Sequence, residues 1–280
     1  MFDFYGAHFE YAGVSSRQHE IIIASINEDR NLSMGDTLSA ITVFNRRGNN
    51  NYYIGDDRTE SPIEFDVEFV ADSDRSFNKT ELRAIEKWLF NEPGYRKLYI
   101  DDYDDCDTDA FEIVSGDPKR LYLKCRFINP EKIEGNGGIC GFKATMQCDS
   151  GLAWQDEVTY SYTITMGSAS SKSVIVPVDS DLKDYIYPKV TITTGSNGGE
   201  ITIHNNTDDA DMDNPRLTRF VSVPASTSII MDGNINYINS THYQRFADKN
   251  FIRLLDGQNN ISISGDVVSI VFVFSNRRWL

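Results

Sequence analysis

Two runs of aspartate at alternate positions, Asp105, Asp107 and Asp109 and then Asp209, Asp211 and Asp213, are the residues best spaced to do chemistry. Alternating carboxylates open a calcium-binding loop, which also needs Gly at its sixth position for a sharp turn and a bidentate Glu at its twelfth. Counted from the first Asp, the sixth position is Ala110 or Asn214 and the twelfth is Gly116 or Phe220. Both runs are therefore read as solvated acidic loops. Nucleophilic hydrolysis lacks its residues as well. There is no Gly-x-Ser-x-Gly elbow, and His8, His19, His204 and His242 form no HExxH and no HxH pair. His204 falls on the polar parity after Ile201 and Ile203, as a surface histidine does. No Gly-Lys-Ser/Thr follows a Gly-rich turn, so no phosphate loop is present. A glycosidase needs two carboxylates across a cleft, and with 42 acidic residues the presence of a pair carries no information.

Cys106, Cys125, Cys140 and Cys148 include no CxxC pair and no matched His spacing, which argues against zinc and redox chemistry. Cys125 continues the apolar parity of Leu121, Leu123 and Phe127. Cys140 and Cys148 share parity with Phe142, Ala144 and Met146. These three are expected in the core, where a free Cys acts as a small hydrophobe. Cys106 sits among acids and is expected at the surface. Tyr52, Tyr53, Tyr103, Tyr237 and Tyr243 lie in loop-like surroundings and are candidates for stacking sugars. Amphipathic rings are also common at sheet rims and protein interfaces, and that reading is preferred. No catalytic residue, cofactor or metal ligand is assigned, and the chain reads as a non-enzyme.

The elements that would position any site are mostly strands. Ile63, Phe65, Val67 and Phe69 alternate with Glu64, Asp66 and Glu68, the period of a strand with one face on a core and one in water. Leu121 to Phe127, Phe142 to Cys148 and Val158 to Met166 follow the same rule, which implies antiparallel sheets with one polar face. Shorter strands are expected at Val174 to Val178, Val190 to Ile192, Ile201 to Ile203, Ile229 to Met231 and Ile261 to Ile263. Turn-rich pieces such as Gly195 to Gly199, Asp232-Gly233 and Asn259-Asn260 separate them, and the second half reads as an all-β sandwich. Val267 to Phe274 is apolar at both parities, so it is expected to be covered on both faces or to lie at a protein contact. One helix interrupts the strands. Asn78 caps it with Glu81 three residues on, Leu82, Ile85 and Leu89 share a face beside Trp88, and Pro93-Gly94 stops it. At 280 residues two domains are expected, spanning 1–149 and 150–280.

The longest apolar stretch falls far short of the roughly 18 to 20 residues of a membrane helix. The N-terminal MFDFYGAHFEY has no basic region followed by an apolar run, which implies synthesis in a cytoplasm. The formal net charge is −15, which opposes binding to DNA or anionic membrane, because Lys and Arg supply most of that affinity.

Several segments resemble the siphophage distal tail protein family, known as Dit. TELRAIEKWLFNEPGYRKLYIDDYDD is similar to its amphipathic helix, following strand and acidic turn. RFVSVPASTSIIMDGNINYINS and FIRLLDGQNNISISGDVVSIVFVFSNRRW are similar to its galectin-like C-terminal domain, and FDFYGAHFEYAGV resembles its first hairpin. The chain departs from the family in Ile26 to Pro62, where Asn, Asp and Glu surround Arg46-Arg47-Gly48 in place of a Gly-rich Arg-Gly tract.

The resemblance implies a mainly β protein: an N-terminal β domain with one amphipathic helix and a hairpin arm, and a galectin-like C-terminal β-sandwich. It implies a structural tail protein whose N-terminal domains assemble, by strand and arm exchange, into a ring of six. That ring would connect the tail tube protein to the tail-associated tip or baseplate proteins and to receptor-binding proteins, in a virion assembled in the host cytoplasm. Neither sequence-specific nucleic acid nor membrane is an expected partner. Val43 to Tyr53 is expected to form an extended hairpin reaching a neighbour, because Ile41 and Val43 lead into Asn49-Asn50-Asn51 and Tyr52-Tyr53-Ile54 leads out. Its interaction residues are then Val43, Phe44, Asn45, Arg46, Arg47, Tyr52, Tyr53 and Ile54. The competing readings are a carbohydrate-binding β-sandwich module of a phage or cell-surface protein, with an exposed aromatic platform, and a hydrolase with a cleft of paired acids.

Overall fold

The computed structural model describes residues 8–26, 36–44, 51–60, 62–73, 75–100, 111–114, 117–135, 137–165, 170–181, 184–208 and 215–279. Contacts divide the chain into two compact units, Met1–Gln155 with Trp279–Leu280, and Asp156–Arg278.

In the first unit the strands are β1 (Phe9–Tyr11), β2 (Val14–Ser15), β3 (Ile21–Ile26), β4 (Asp36–Phe44), β5 (Asn51–Glu60), β6 (Glu64–Ala71), β7 (Arg96–Ile100), β8 (Phe111–Val114), β9 (Asp117–Gly135), β10 (Gly138–Cys148) and β11 (Leu152–Gln155). The main sheet runs β2-β1-β7-β9-β10-β6-β3, with β8 and β11 also paired to β9. Register follows the alternation read from the sequence. Phe65, Val67 and Phe69 on β6 face Met146, Ala144 and Phe142 on β10, and Phe127 and Cys125 on β9 face Met146 and Cys148. All of these side chains are buried on one side of the sheet. A one-residue slip would turn every one of them to water, so the pairing is tightly specified.

Helix α1 (Lys79–Phe90) contributes Leu82, Ile85, Trp88 and Leu89 to the same core. Its start is fixed as expected: Asn78 Oδ1 accepts from the N–H groups of Thr80 and Glu81 at 2.9 and 3.0 Å, and Glu81 accepts from the Asn78 N–H at 2.9 Å. This reciprocal arrangement satisfies the free N–H groups of the first turn. At the far end Trp88 is tied to β1, donating from Nε1 to the Tyr11 carbonyl at 2.8 Å and stacking on Phe9 at 5.6 Å. Phe9, Phe69, Phe127 and Tyr11 continue the aromatic cluster.

One cysteine departs from the expectation. Cys125 and Cys148 are buried, but Cys140 is only half-buried. The β9–β10 register shifts between Ile139 and Gly141, so Cys140 is an extra residue in a bulge and the parity that placed it inside does not extend to it. Gly141 is required beside it, because a Cβ there would lie 2.3 Å from the Phe69 carbonyl oxygen.

The second unit is a two-sheet sandwich built from β12 (Val158–Thr163), β13 (Ser171–Val178), β14 (Lys189–Thr194), β15 (Gly199–Asn205), β16 (Leu217–Val223), β17 (Ser228–Asp232), β18 (Tyr237–Ile238), β19 (Gly257–Ser264) and β20 (Val267–Phe274). The sheets run β12-β20-β14-β17-β18 and β13-β19-β15-β16. A last strand, β21 (Arg277–Trp279), ends the described chain. One expectation needs correction and another is narrowed. The Asn259-Asn260 pair is not a turn but lies inside β19; the turn falls earlier, at Asp256-Gly257, where Gly257 has φ +95°. Asn259 is fully buried and its side chain binds the Leu255 N–H and the carbonyls of Leu255, Gly257 and Val176, with Asn205 donating to it at 2.9 Å. A buried amide with this many partners stitches strands together where an apolar residue would only fill space. For β20, the first of the two alternatives falls away, since it is not covered on both faces. Ile270, Phe272 and Phe274 are buried, whereas Val271 and Val273 are half-buried and Val268 is exposed. The flanking strands present Thr159, Ser161, Lys189 and Thr191 on that outer side.

Replacing Ile85, fully buried under the sheet, with Asp places an unpaired charge in the core and is expected to cost ~3 kcal/mol or more. Urea denaturation of the first unit's transition measures it. Asn78→Ala removes the cap and is expected to cost about 1 kcal/mol. The Glu81 carboxyl is held below its usual range, first by the Asn78 N–H and then by Arg75. Its contribution is thus present above the unfolded-state value and lost as pH falls through the lowered one. Glu81→Gln is expected to be destabilising at neutral pH and to lose that penalty in acid, and a penalty constant from neutral to acidic pH would contradict this cap.

Candidate functional site

The interaction arm anticipated at Val43 to Tyr53 is built as a separate two-stranded sheet of β4 and β5, sharing no strand with the rest of the protein among the described residues. Val43 lies opposite Tyr52, Phe44 opposite Asn51, and Thr42 opposite Tyr53. Pairing jumps from Ile41–Gly55 to Thr42–Tyr53, which leaves Ile54 as the extra residue of a bulge. Such a bulge bends its strand and adds local twist. Asn45, Arg46 and Arg47 lie outside the described residues. The ladder is longer than the sequence suggested, running to Asp36 opposite Glu60. Asp56-Asp57-Arg58-Thr59-Glu60 has no apolar alternation, so no signal of period marked it as strand.

Both Asp clusters also lie outside the described residues, and among the described ones no group of His, Cys, Asp and Glu could hold a metal ion. The four histidines are dispersed. His8 Nδ1 is 3.2 Å from Ser16 Oγ and its Nε2 is 3.4 Å from Asp72. His19 stacks on Trp88 at 4.7 Å, and burial holds its pKa below the ordinary value. His204 is half-buried on the outer parity of β15, and His242 is buried beside Thr227 Oγ1. Burial pushes the Cys148 thiol up to about 12 and the Cys125 thiol well above its usual value, so neither supplies a thiolate at neutral pH. Of the tyrosines considered for sugar stacking, Tyr237 and Tyr243 are exposed, and Lys249 covers one face of Tyr243 at 4.5 Å. Tyr103 is outside the described residues.

The outer face of the main sheet holds an arrangement that the sequence reading did not assemble. Lys97 on β7 lies directly across from Lys124 on β9, with Arg120 and Arg126 on the same side of β9. Each cation sits on a ring: Lys97 Nζ is 4.0 Å from the Tyr122 centroid and Lys124 Nζ is 3.9 Å from that of Trp154, while Arg120 is 4.1 Å from Tyr99 and Arg126 is 5.2 Å from Tyr95. The β9 half of this signal was visible as Arg120, Tyr122, Lys124 and Arg126 at alternate positions. The rings that complete it come from strands distant in sequence, and only the fold brings them together.

Comparison with known proteins agrees with this architecture. A family described as a phage tail protein N-terminal domain matches residues 4–150, and one described as a phage tail C-terminal domain matches residues 152–274. No curated protein sequence matches the chain. Among solved structures, the Dit protein of phage SPP1, described as a paradigm of the hub adsorption apparatus in phages infecting Gram-positive bacteria, aligns with a TM-score of 0.60 at 11% identity, covering 96% of this chain and 98% of its own. A chain of the phage P2 baseplate in its activated conformation with Ca aligns with a TM-score of 0.51 at 10% identity, covering 98% of each chain. Mainly β, with one helix on the first sheet and a sandwich after it, the chain belongs to the phage tail protein family defined by these two domains and has the fold of the SPP1 Dit protein.

Proposed function

We propose that this tail protein is a hub whose copies close into a ring, of six in the resemblance to Dit, joining the tail tube to the tip or baseplate proteins. The observation that carries this reading is the isolated β4–β5 hairpin. A lone two-stranded ribbon is at best marginally stable in water, so one this long needs something to lie against. A matching feature is β3, which among the described residues pairs with β6 alone. Its sequence, IIIASI, carries no Lys or Pro to blunt an edge. The hairpin of one copy would be held by the next, with Val43, Phe44, Tyr52, Tyr53 and Ile54 and the connecting Asn45, Arg46 and Arg47 at the contact. The first domain, 1–149, builds the ring, and the second, 150–280, is a galectin-like sandwich. No turnover is part of this role.

Net charge shapes the ring. A subunit at −15 gives a channel that is acidic on balance, past which DNA would slide without counterion exchange holding it. The cost is repulsion between subunits, which salt screens within about 8 Å at physiological ionic strength. A carbohydrate-binding role for the sandwich draws support only from exposed Tyr237 and Tyr243.

Mass photometry on the full-length protein is expected to show a closed oligomer that strengthens as salt rises from low levels, and deletion of 36–60 is expected to leave a folded monomer. A wild-type monomer persisting at high concentration and moderate salt would overturn the hub, as would a ring unaffected by the deletion.

A further inference from the structure

Cys125 on β9 and Cys148 on β10 lie directly opposite each other, and both side chains enter the core, where they are 0% and 1% exposed. The hydrogen bonds around them define the kind of pair they make. Asp149 donates its N–H to the Lys124 carbonyl at 2.8 Å, which links the residue after Cys148 to the residue before Cys125. The Cys148 N–H turns the other way, to the Ile63 carbonyl at 2.8 Å. The two cysteines therefore occupy a non-hydrogen-bonded site of the antiparallel ladder, where Cα atoms stand about 4.5 Å apart and side chains approach more closely than at the neighbouring sites. A disulfide spans Cα separations from about 4.4 to 6.8 Å. The sheet thus brings two thiols to bonding distance without a change of register. Cys140 does not compete, because the bulge sets it apart and its thiol donates to the Ile133 carbonyl at 3.6 Å.

Thiol–disulfide exchange needs a thiolate and access to an oxidant. The folded core withholds both, since burial raises the two thiols and the nearby Asp149 carboxylate raises them further. Cys148 is the last residue of β10, however, and local opening is easiest where a ladder ends.

We propose that Cys125 and Cys148 form a latent cross-strand disulfide, held as two thiols while the protein folds in a reducing compartment and closed by a low-molecular-weight disulfide when the end of β10 opens. The thiolate of one cysteine attacks a sulfur of the oxidant and releases one thiol. The thiolate of the other attacks the mixed disulfide so formed and releases the second. The two protein sulfurs are joined after losing two protons and two electrons, and the oxidant is reduced to two thiols. The bond locks together two strands that carry the core of the first unit. It forms within one subunit, so its failure and the failure of the ring reading are distinguishable.

The test refolds the full-length protein from urea in mixtures of reduced and oxidised glutathione, alkylates the remaining thiols, and maps the links by proteolysis without reductant and mass spectrometry. The expected product joins Cys125 to Cys148 and leaves both unlinked to Cys106 and Cys140. Folded protein in the same mixture without urea should form the link at least about tenfold more slowly, because its thiols are buried. The linked form is expected to move the first unit's urea midpoint upward, and dithiothreitol to return it. Cys148→Ala should abolish both the link and the shift, and the wild-type map decides the matter even where that variant does not fold. Cys125 and Cys148 recovered alkylated, joined to glutathione, or linked to Cys106 or Cys140 would overturn the proposal. Equal rates with and without urea would overturn the gating by strand opening, and a link that left the midpoint unchanged or lowered it would overturn the lock.

Discussion

The in-register pairing of β6, β10 and β9 is the constraint on which the first unit rests. It sends Phe65, Val67, Phe69, Phe127, Phe142, Ala144 and Met146 to one side, where α1 lays Leu82, Ile85 and Leu89 over them. The same pairing necessarily sends Glu64, Asp66, Lys124, Arg126, Lys143 and Gln147 to the other side. Core and outer surface are thus one decision, taken strand by strand, because successive side chains must alternate. The capped helix and the Trp88–Tyr11 bond add orientation: they fix where α1 crosses and tie the short β1 into the core.

Legibility in the sequence tracked how local the physical signal was. Strands β6, β9 and β10 were readable because each carries its own period, and the helix because Asn78, Glu81, Leu82, Ile85 and Leu89 lie within one short segment; β3, IIIASI, has no alternation to read. Cys140 was misplaced because a bulge breaks parity between Ile139 and Gly141, and no single-strand pattern announces a bulge. Asn259 was taken for a turn residue because Asn usually is one; its burial depends on Asn205, Leu255, Gly257 and Val176, supplied by other parts of the fold. The ringed cations were half legible, along β9 but not across to Tyr95, Lys97, Tyr99 and Trp154. The polar end of the hairpin was invisible for a different reason, since Asp56-Asp57-Arg58-Thr59-Glu60 has no apolar period to read.

The two units manage strand edges differently, and this bears on what each is available to do. In the sandwich, the β16 edge is occupied: Ala247 donates to the Arg219 carbonyl, Phe246 bridges Phe220, and Arg245 reaches the Ser222 carbonyl. On the other side Tyr162, at the edge of one sheet, donates its hydroxyl to the carbonyl of Ile175, at the edge of the other. A sheet edge occupied in this way, as at β16, has little drive to add strands. In the first unit, among the described residues, β3 pairs on one side with β6, and the hairpin shares no strand with the main sheet. Among the described residues, a strand edge open to addition is thus a feature of the first unit.

Strand β9 has 19 residues and is shared by β7, β8, β10 and β11. Its ladder bonds lie across the strand direction, so a pull along β9 loads many of them together in shear, and they must fail together. A pull that separates the ends of β4 and β5 opens their bonds one at a time, as a zipper does. One chain thus contains a segment that resists a pull along its length and another that opens bond by bond.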